Sequence, residues 1–201
     1  MVAQYMADEV RPFLAPVPVP LQLVDHPAEE GIAPRFENVR MRPASELADE
    51  LDGAADWLGV RVAEILLAAL GRAIGRTRGE GTVTVDVTAE HRRLFHTVSL
   101  ICSDAPPMGP TEMLQGAHTA LTGASSFSTA TAEVLLNVAT GQDLAAGGNH
   151  ALELRVHRTG KQLHLDWSFD AIRFDAYSIE ELAEQFPLAL IELTSNAAAP
   201  L

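Results

Sequence analysis

The 201 residues suit one domain or one lobe of a larger pseudo-symmetric protein, and a 47% hydrophobic share, mostly small Ala, Val and Leu, is enough for a continuous core. A formal net charge of -13 excludes nonspecific binding to nucleic acid or an anionic membrane, because no basic patch offsets the repulsion. Cys102 is the single cysteine, so an internal disulfide and a cysteine-rich metal site are excluded. No apolar run approaches the roughly 18 residues of a membrane span. The N-terminal MVAQYMADEVRPF is acidic where a signal peptide is basic, and a cytoplasmic location is expected.

Residues 3–11 read as a short helix stopped by Pro12. Prolines at 12, 16, 18, 20 and 27 then forbid helix and remove ladder donors, so this stretch is expected to run extended over a surface. Residues 1–27 are expected to form this helix and crossing segment, and 28–201 the folded lobe. A strand is expected over 36–41, then a helix capped by Ser45 with Leu47, Leu51, Ala54 and Leu58 on one face, ended by Gly59. A second helix over 60–77 carries Val62, Ile65, Leu66, Ala69, Leu70, Ala73 and Ile74 inward, and Leu67 widens that stripe toward burial on several sides.

Val83, Val85 and Val87 alternate with polar residues, as do Val98, Leu100 and Cys102, which predicts two half-buried strands and an inert, buried Cys102. A helix is expected over 111–121 with Thr111 as its cap, a loop over 123–132, and a strand over 133–139. Leu152, Leu154 and Val156 alternate with Glu153, Arg155 and His157. RTGK turns the chain, and Leu163, Leu165, Trp167 and Phe169 alternate with His164, Asp166 and Ser168, giving a clear hairpin. Ser178–Glu181 reads as the capping box of the last helix, with Pro187 expected to kink it. Strands mixed with helices make the fold class α/β, a mixed sheet with packed helices.

None of the seven histidines stands in a metal or triad motif, and no phosphate or dinucleotide loop occurs. His157 and His164 face each other across the hairpin, as a solvated polar face or a zinc pair. Arg72, Arg76 and Arg78 read as a solvated helix end or as a patch receiving an acidic carrier.

VDVTAEHRR (85–93) resembles the VD-x-EGHGRE signature of epimerization domains, and TVSLICS (97–103) with Pro106 resembles the TVGWFT-x-x-x-P signature that follows it. ILLAALGRAIGR (65–76), Leu136-Asn137-Val138 and LHLDWSFDAIRFDAYSIEELAEQF (163–186) extend the likeness. In order and spacing the chain resembles the C-terminal half of the condensation and epimerization domain superfamily of nonribosomal peptide synthetases. That resemblance implies a chloramphenicol-acetyltransferase-like single lobe, whose substrate tunnel is completed by an N-terminal lobe.

The departures matter more. The superfamily's HHxxxDG motif occurs nowhere in the chain. Thr88 stands where the epimerization glutamate would be, Ala89 and Glu90 replace Gly and His, His91 replaces Gly, Arg92 holds and Arg93 replaces Glu. A hydroxyl does not accept a proton near neutral pH without a strong partner, and Glu90 lies about 6.6 Å further along the strand. No catalytic residue, metal ligand or resident cofactor is therefore assigned. Thr88, Glu90, His91, Arg92, Ser99 and Asn137 are the expected substrate- or carrier-facing residues, and Arg92 is expected to pair with Asp86 or meet a phosphopantetheine arm. The implied partners are an N-terminal lobe or synthetase chain, a second copy, and a carrier protein. Val98, Leu100 and Leu135 are expected near the seam between lobes. A non-catalytic module docking a carrier and a fragment of a larger synthetase are the other readings.

Overall fold

The structure is a computed structural model that describes residues 19–28, 31–88, 95–124, 132–139 and 150–200. The period-two runs pair into one mixed sheet. Its strands are β1 (Phe36–Met41), β2 (Gly81–Thr88), β3 (Phe95–Cys102), β4 (Val134–Val138), β5 (Leu152–Thr159) and β6 (Gln162–Asp170), in the order β1-β6-β5-β4-β2-β3. β4 lies parallel to both β2 and β5, and the remaining pairs are antiparallel. At the β5–β6 turn Thr159 faces Gln162, with Gly160 at φ 62°, the left-handed first position of a two-residue hairpin turn.

Four helices cover one face: α1 (Glu46–Leu58), α2 (Val62–Arg78), α3 (Pro110–Thr122) and α4 (Ala176–Asn196). Val83, Val85, Val87, Val98, Leu100, Leu154, Leu165 and Trp167 are buried beneath them. α2 is the central helix, and every residue from Glu64 to Gly75 is buried. Leu67 is completely enclosed, as its place outside the main stripe predicts.

The helix starts differ from expectation for tertiary reasons. Ser45 makes no capping bond, and its hydroxyl donates to Glu46 instead. α3 begins at Pro110 after Gly109, because proline at the first position needs no hydrogen-bond acceptor. Thr111 then accepts from the Ala198 amide at 3.0 Å rather than capping. α4 begins two residues before Ser178, where the Asp25 carboxylate accepts the Asp175 amide at 2.9 Å. Burial opposes ionisation of Asp25, but bonds from Arg78, the Asp175 amide and Ser178 outweigh it and hold its pKa below the usual value. The helix passes through Pro187 without a break.

The described end of the proline-rich strip lies against the sheet. Leu21 N–H donates to Thr82 O at 2.8 Å, Thr82 N–H to Val19 O at 2.9 Å, and Leu23 enters the core. The residue 3–11 helix and the prolines before Val19 lie outside the described residues.

The arginines at the end of α2 are neither a solvated helix end nor an open basic patch. Arg72 is 2% exposed and donates to Ser103 O and Met108 O at 3.0 and 2.8 Å. Arg76 pairs with Asp104 and Glu192, and Arg78 with Asp25 at 2.6 Å. Acidic residues of this chain occupy the places a carrier would take.

Cys102 is 1% exposed, and burial pushes its thiol up to about 12. Native protein at mildly alkaline pH should resist iodoacetamide over the hour in which denatured protein is fully labelled. Rapid native labelling, read by intact mass, would place β3 elsewhere.

Candidate functional site

The face of the sheet away from the helices carries the polar half of each strand. Register aligns Thr97, Asp86, Leu135, Glu153, Ser168 and Asn38 in one row, and Asn137, Arg155, Asp166 and Arg40 in the next. This face is hydrogen-bonded rather than apolar. Asn137 Nδ2 donates to Glu153 Oε1 at 2.8 Å, and Arg155 donates to the same oxygen at 2.9 Å. Glu153 is 7% exposed, and these donors satisfy its buried oxygen.

The sequence-predicted residues separate into three groups. Thr88 Oγ1 accepts the Val138 amide at 2.9 Å, extending the β2–β4 pairing, so the hydroxyl serves the sheet. Asn137 lies beside it across that pairing, engaged with Glu153. Ser99 is exposed on edge strand β3. Glu90, His91 and Arg92 lie outside the described residues, and with them the expected Arg92–Asp86 pair. Among the described residues Asp86 has two side-chain partners: Thr97 Oγ1 donates to Oδ1 at 2.5 Å, and His150 Nε2 meets Oδ2 at 2.8 Å.

The expected apolar seam is corrected by the packing. Val98 and Leu100 point beneath α2 and α3 at 4% and 2% exposure, and Leu135 is 1% exposed. Leu135 lies on the opposite face, in the row of Asp86 and Glu153, and is already enclosed there, while alternation turns Val98 and Leu100 toward the helices. Ser99, between them, points the other way.

His157 and His164 are cross-strand partners with rings stacked 4.8 Å apart at 11°. Burial lowers the His164 pKa, and positive charge on His157 and Arg42 lowers it further against the pull of Asp166. Among the described residues no three His, Cys, Asp or Glu side chains converge as a metal site requires.

His150 is the residue that sequence reading passed over. Its ring meets Phe95 edge-on at 5.7 Å, and it is 9% exposed. Sixty-four positions separate it from Asp86, and no local spacing signals the pair.

The helices thus cover one face of the sheet, and a hydrogen-bonded polar face lies opposite. No family model matches the chain. The epimerization domain from the third module of tyrocidine synthetase B superposes with a TM-score of 0.61 at 12% identity, over 80% of this chain and 48% of that one. The EpoB cyclization-docking bidomain from Sorangium cellulosum gives 0.65 at 15% identity, over 92% of this chain and 46% of that one. The first condensation domain of the CDA synthetase gives 0.63 at 18%, over 91% and 49%. The chain has the fold of one condensation-domain lobe. In sequence it is 28% identical over 230 aligned positions to a component of the phenolphthiocerol/phthiocerol polyketide synthase of Mycobacterium tuberculosis, and an identical match comes from Mycobacterium bovis. The alignment takes in 87% of this chain and 15% of that relative's length. No helix among the described residues is long and apolar enough to cross a membrane.

Proposed function

We propose that this condensation-like lobe forms one wall of a carrier-substrate site in nonribosomal peptide or mixed polyketide assembly, completed by a second lobe from a partner chain or larger synthase. By itself the lobe does no chemistry. The observation that carries this reading is its span, about half of each condensation or epimerization neighbour, together with a sequence that lacks HHxxxDG. Thr88 supports it, since a hydroxyl already accepting the Val138 amide does not replace a glutamate base. In this reading Glu90, His91, Arg92, Ser99 and Asn137 border the carrier's phosphopantetheine arm, and the protein works in the cytoplasm. A carrier-docking module without chemistry is the second reading, favoured by the polar, already bonded sheet face, which is soluble without a partner.

Sedimentation at tens of micromolar, alone and with an N-terminal lobe and a carrier, separates the two. The two-lobe reading expects association burying roughly 1,200 Å² or more, no turnover of an aminoacyl-carrier thioester by the chain alone, and no rescue by Thr88→Glu. A strict monomer that captures only the carrier selects the docking module. Turnover by the purified chain alone overturns both.

A further inference from the structure

β1 ends the sheet, and its outer side is unpaired among the described residues. The pairing fixes which backbone groups point outward. The Ala171 amide donates to Arg35 O at 2.7 Å, a pair that continues the β1–β6 register. Bonding alternates along an antiparallel ladder, so Glu37, Val39 and Met41 face β6, while Phe36, Asn38 and Arg40 turn N–H and C=O outward. Phe36 is 48% exposed, and the Asn38 and Arg40 side chains are exposed and without partners among the described residues. Neither proline, lysine nor a bulge blunts this edge. We propose that two copies of this chain join β1 to β1, antiparallel about a twofold axis at Asn38, as one continuous sheet.

The register follows from the outward groups. A twofold axis must pass through a residue, because a centre between residues sets side chains of opposite faces against each other. Centred on Asn38, Phe36 meets Arg40 of the second copy, Asn38 meets Asn38, and Arg40 meets Phe36. Each of these pairs exchanges two backbone hydrogen bonds. A shift of the centre to Glu37 opposes two carboxylates and sets Arg40 against Pro34, which has no N–H. A shift to Val39 sets Phe36 against Arg42, past the end of the strand. Only Asn38 pairs every outward residue within β1.

The side chains agree with that register. Phe36, Asn38 and Arg40 share the polar face of the sheet, as their alternation with Val39 requires. There each Arg40 guanidinium reaches the exposed Phe36 ring of the second copy, a cation–π contact made twice. The two Asn38 amides meet at the axis, and an amide, being both donor and acceptor, complements itself. Glu37 stands opposite Val39, so no like charges face each other. β1 carries one acid and one base, Glu37 and Arg40, and is locally neutral in a chain of net charge -13. The contact is small, below about 1,200 Å² in total, and gives a concentration-dependent dimer rather than an obligate one.

Sedimentation velocity of the full chain across roughly 5–500 µM tests the dimer. The parent should shift toward dimer as concentration rises. Asn38→Pro should stay monomeric throughout, since proline there removes an outward N–H and no β1–β6 bond. Disulfide capture reads the register independently of that variant, with Cys102 buried and inert. Asn38→Cys places two thiols on the axis with Cα atoms about 5.5 Å apart, within disulfide reach. Arg40→Cys holds them about 14 Å apart. At equal concentration under diamide, the disulfide-linked dimer of Asn38→Cys should form at least ~10-fold faster than that of Arg40→Cys. Equal rates, a parent monomeric at every concentration, or self-association that survives Asn38→Pro overturns the proposal. Each of those results leaves the two-lobe reading standing, because capture of an N-terminal lobe is measured separately.

Discussion

Trp167→Ala should lower stability by about 3–5 kcal/mol. Trp167 is fully enclosed on β6, with Leu154 of β5 and Val39 of β1 as its cross-strand partners. Its ring meets Phe186 of α4 edge-to-face at 5.7 Å and 83°, so it pins the last helix to the centre of the sheet. Alanine there leaves a void bordered by three strands and a helix, which have little freedom to collapse into it. For a chain of this length the melting temperature should fall by roughly 10 °C. Trp167→Phe separates shape from polarity. It keeps a ring against Phe186 and removes the buried indole N–H, which has no partner among the described residues, so it should cost much less than alanine. Urea unfolding with an unchanged slope checks both variants. A melting temperature unmoved by Trp167→Ala would mean that the hairpin turns its other face to α4.

What the chain reveals locally is tied to periodicity. Leu163, Leu165, Trp167 and Phe169 alternate with polar residues across a two-residue turn, and both strands and register follow from that. α2 is legible because its apolar stripe overflows one face. Helix starts are less so. Ser45, Thr111 and Ser178 have the right chemistry for caps, yet each spends its hydroxyl elsewhere or sits beside the start that tertiary bonds select. The site was least legible. Alternation shows that Val98 and Leu100 share a face but not whether helices or a second lobe cover it. Asp86 with His150, and Arg76 with Glu192, join positions 64 and 116 residues apart, and no residue pattern records a meeting made only by the sheet order.

Gly75→Ala tests the same long-range packing, because local and tertiary effects predict opposite signs. Within a helix, alanine is better than glycine by roughly 1 kcal/mol. At Gly75, however, a Cβ would stand 2.4 Å from Ser103 C and 2.5 Å from Ser103 N, backbone atoms that cannot rotate away. One turn earlier, a Cβ on Gly71 would meet Ile101 O at 2.5 Å. These two glycines let α2 lie directly on the end of β3, and that contact brings Arg72 within reach of Ser103 O. Overpacking should exceed the propensity gain and leave Gly75→Ala about 2 kcal/mol less stable than the parent. Gly53→Ala, inside α1 with nothing within 4 Å of its Cβ, should instead gain about 0.5–1 kcal/mol. Denaturation midpoints of the two variants should therefore move in opposite directions. If both rise, α2 is not seated on β3, and the buried Arg72 network loses the contact that places it.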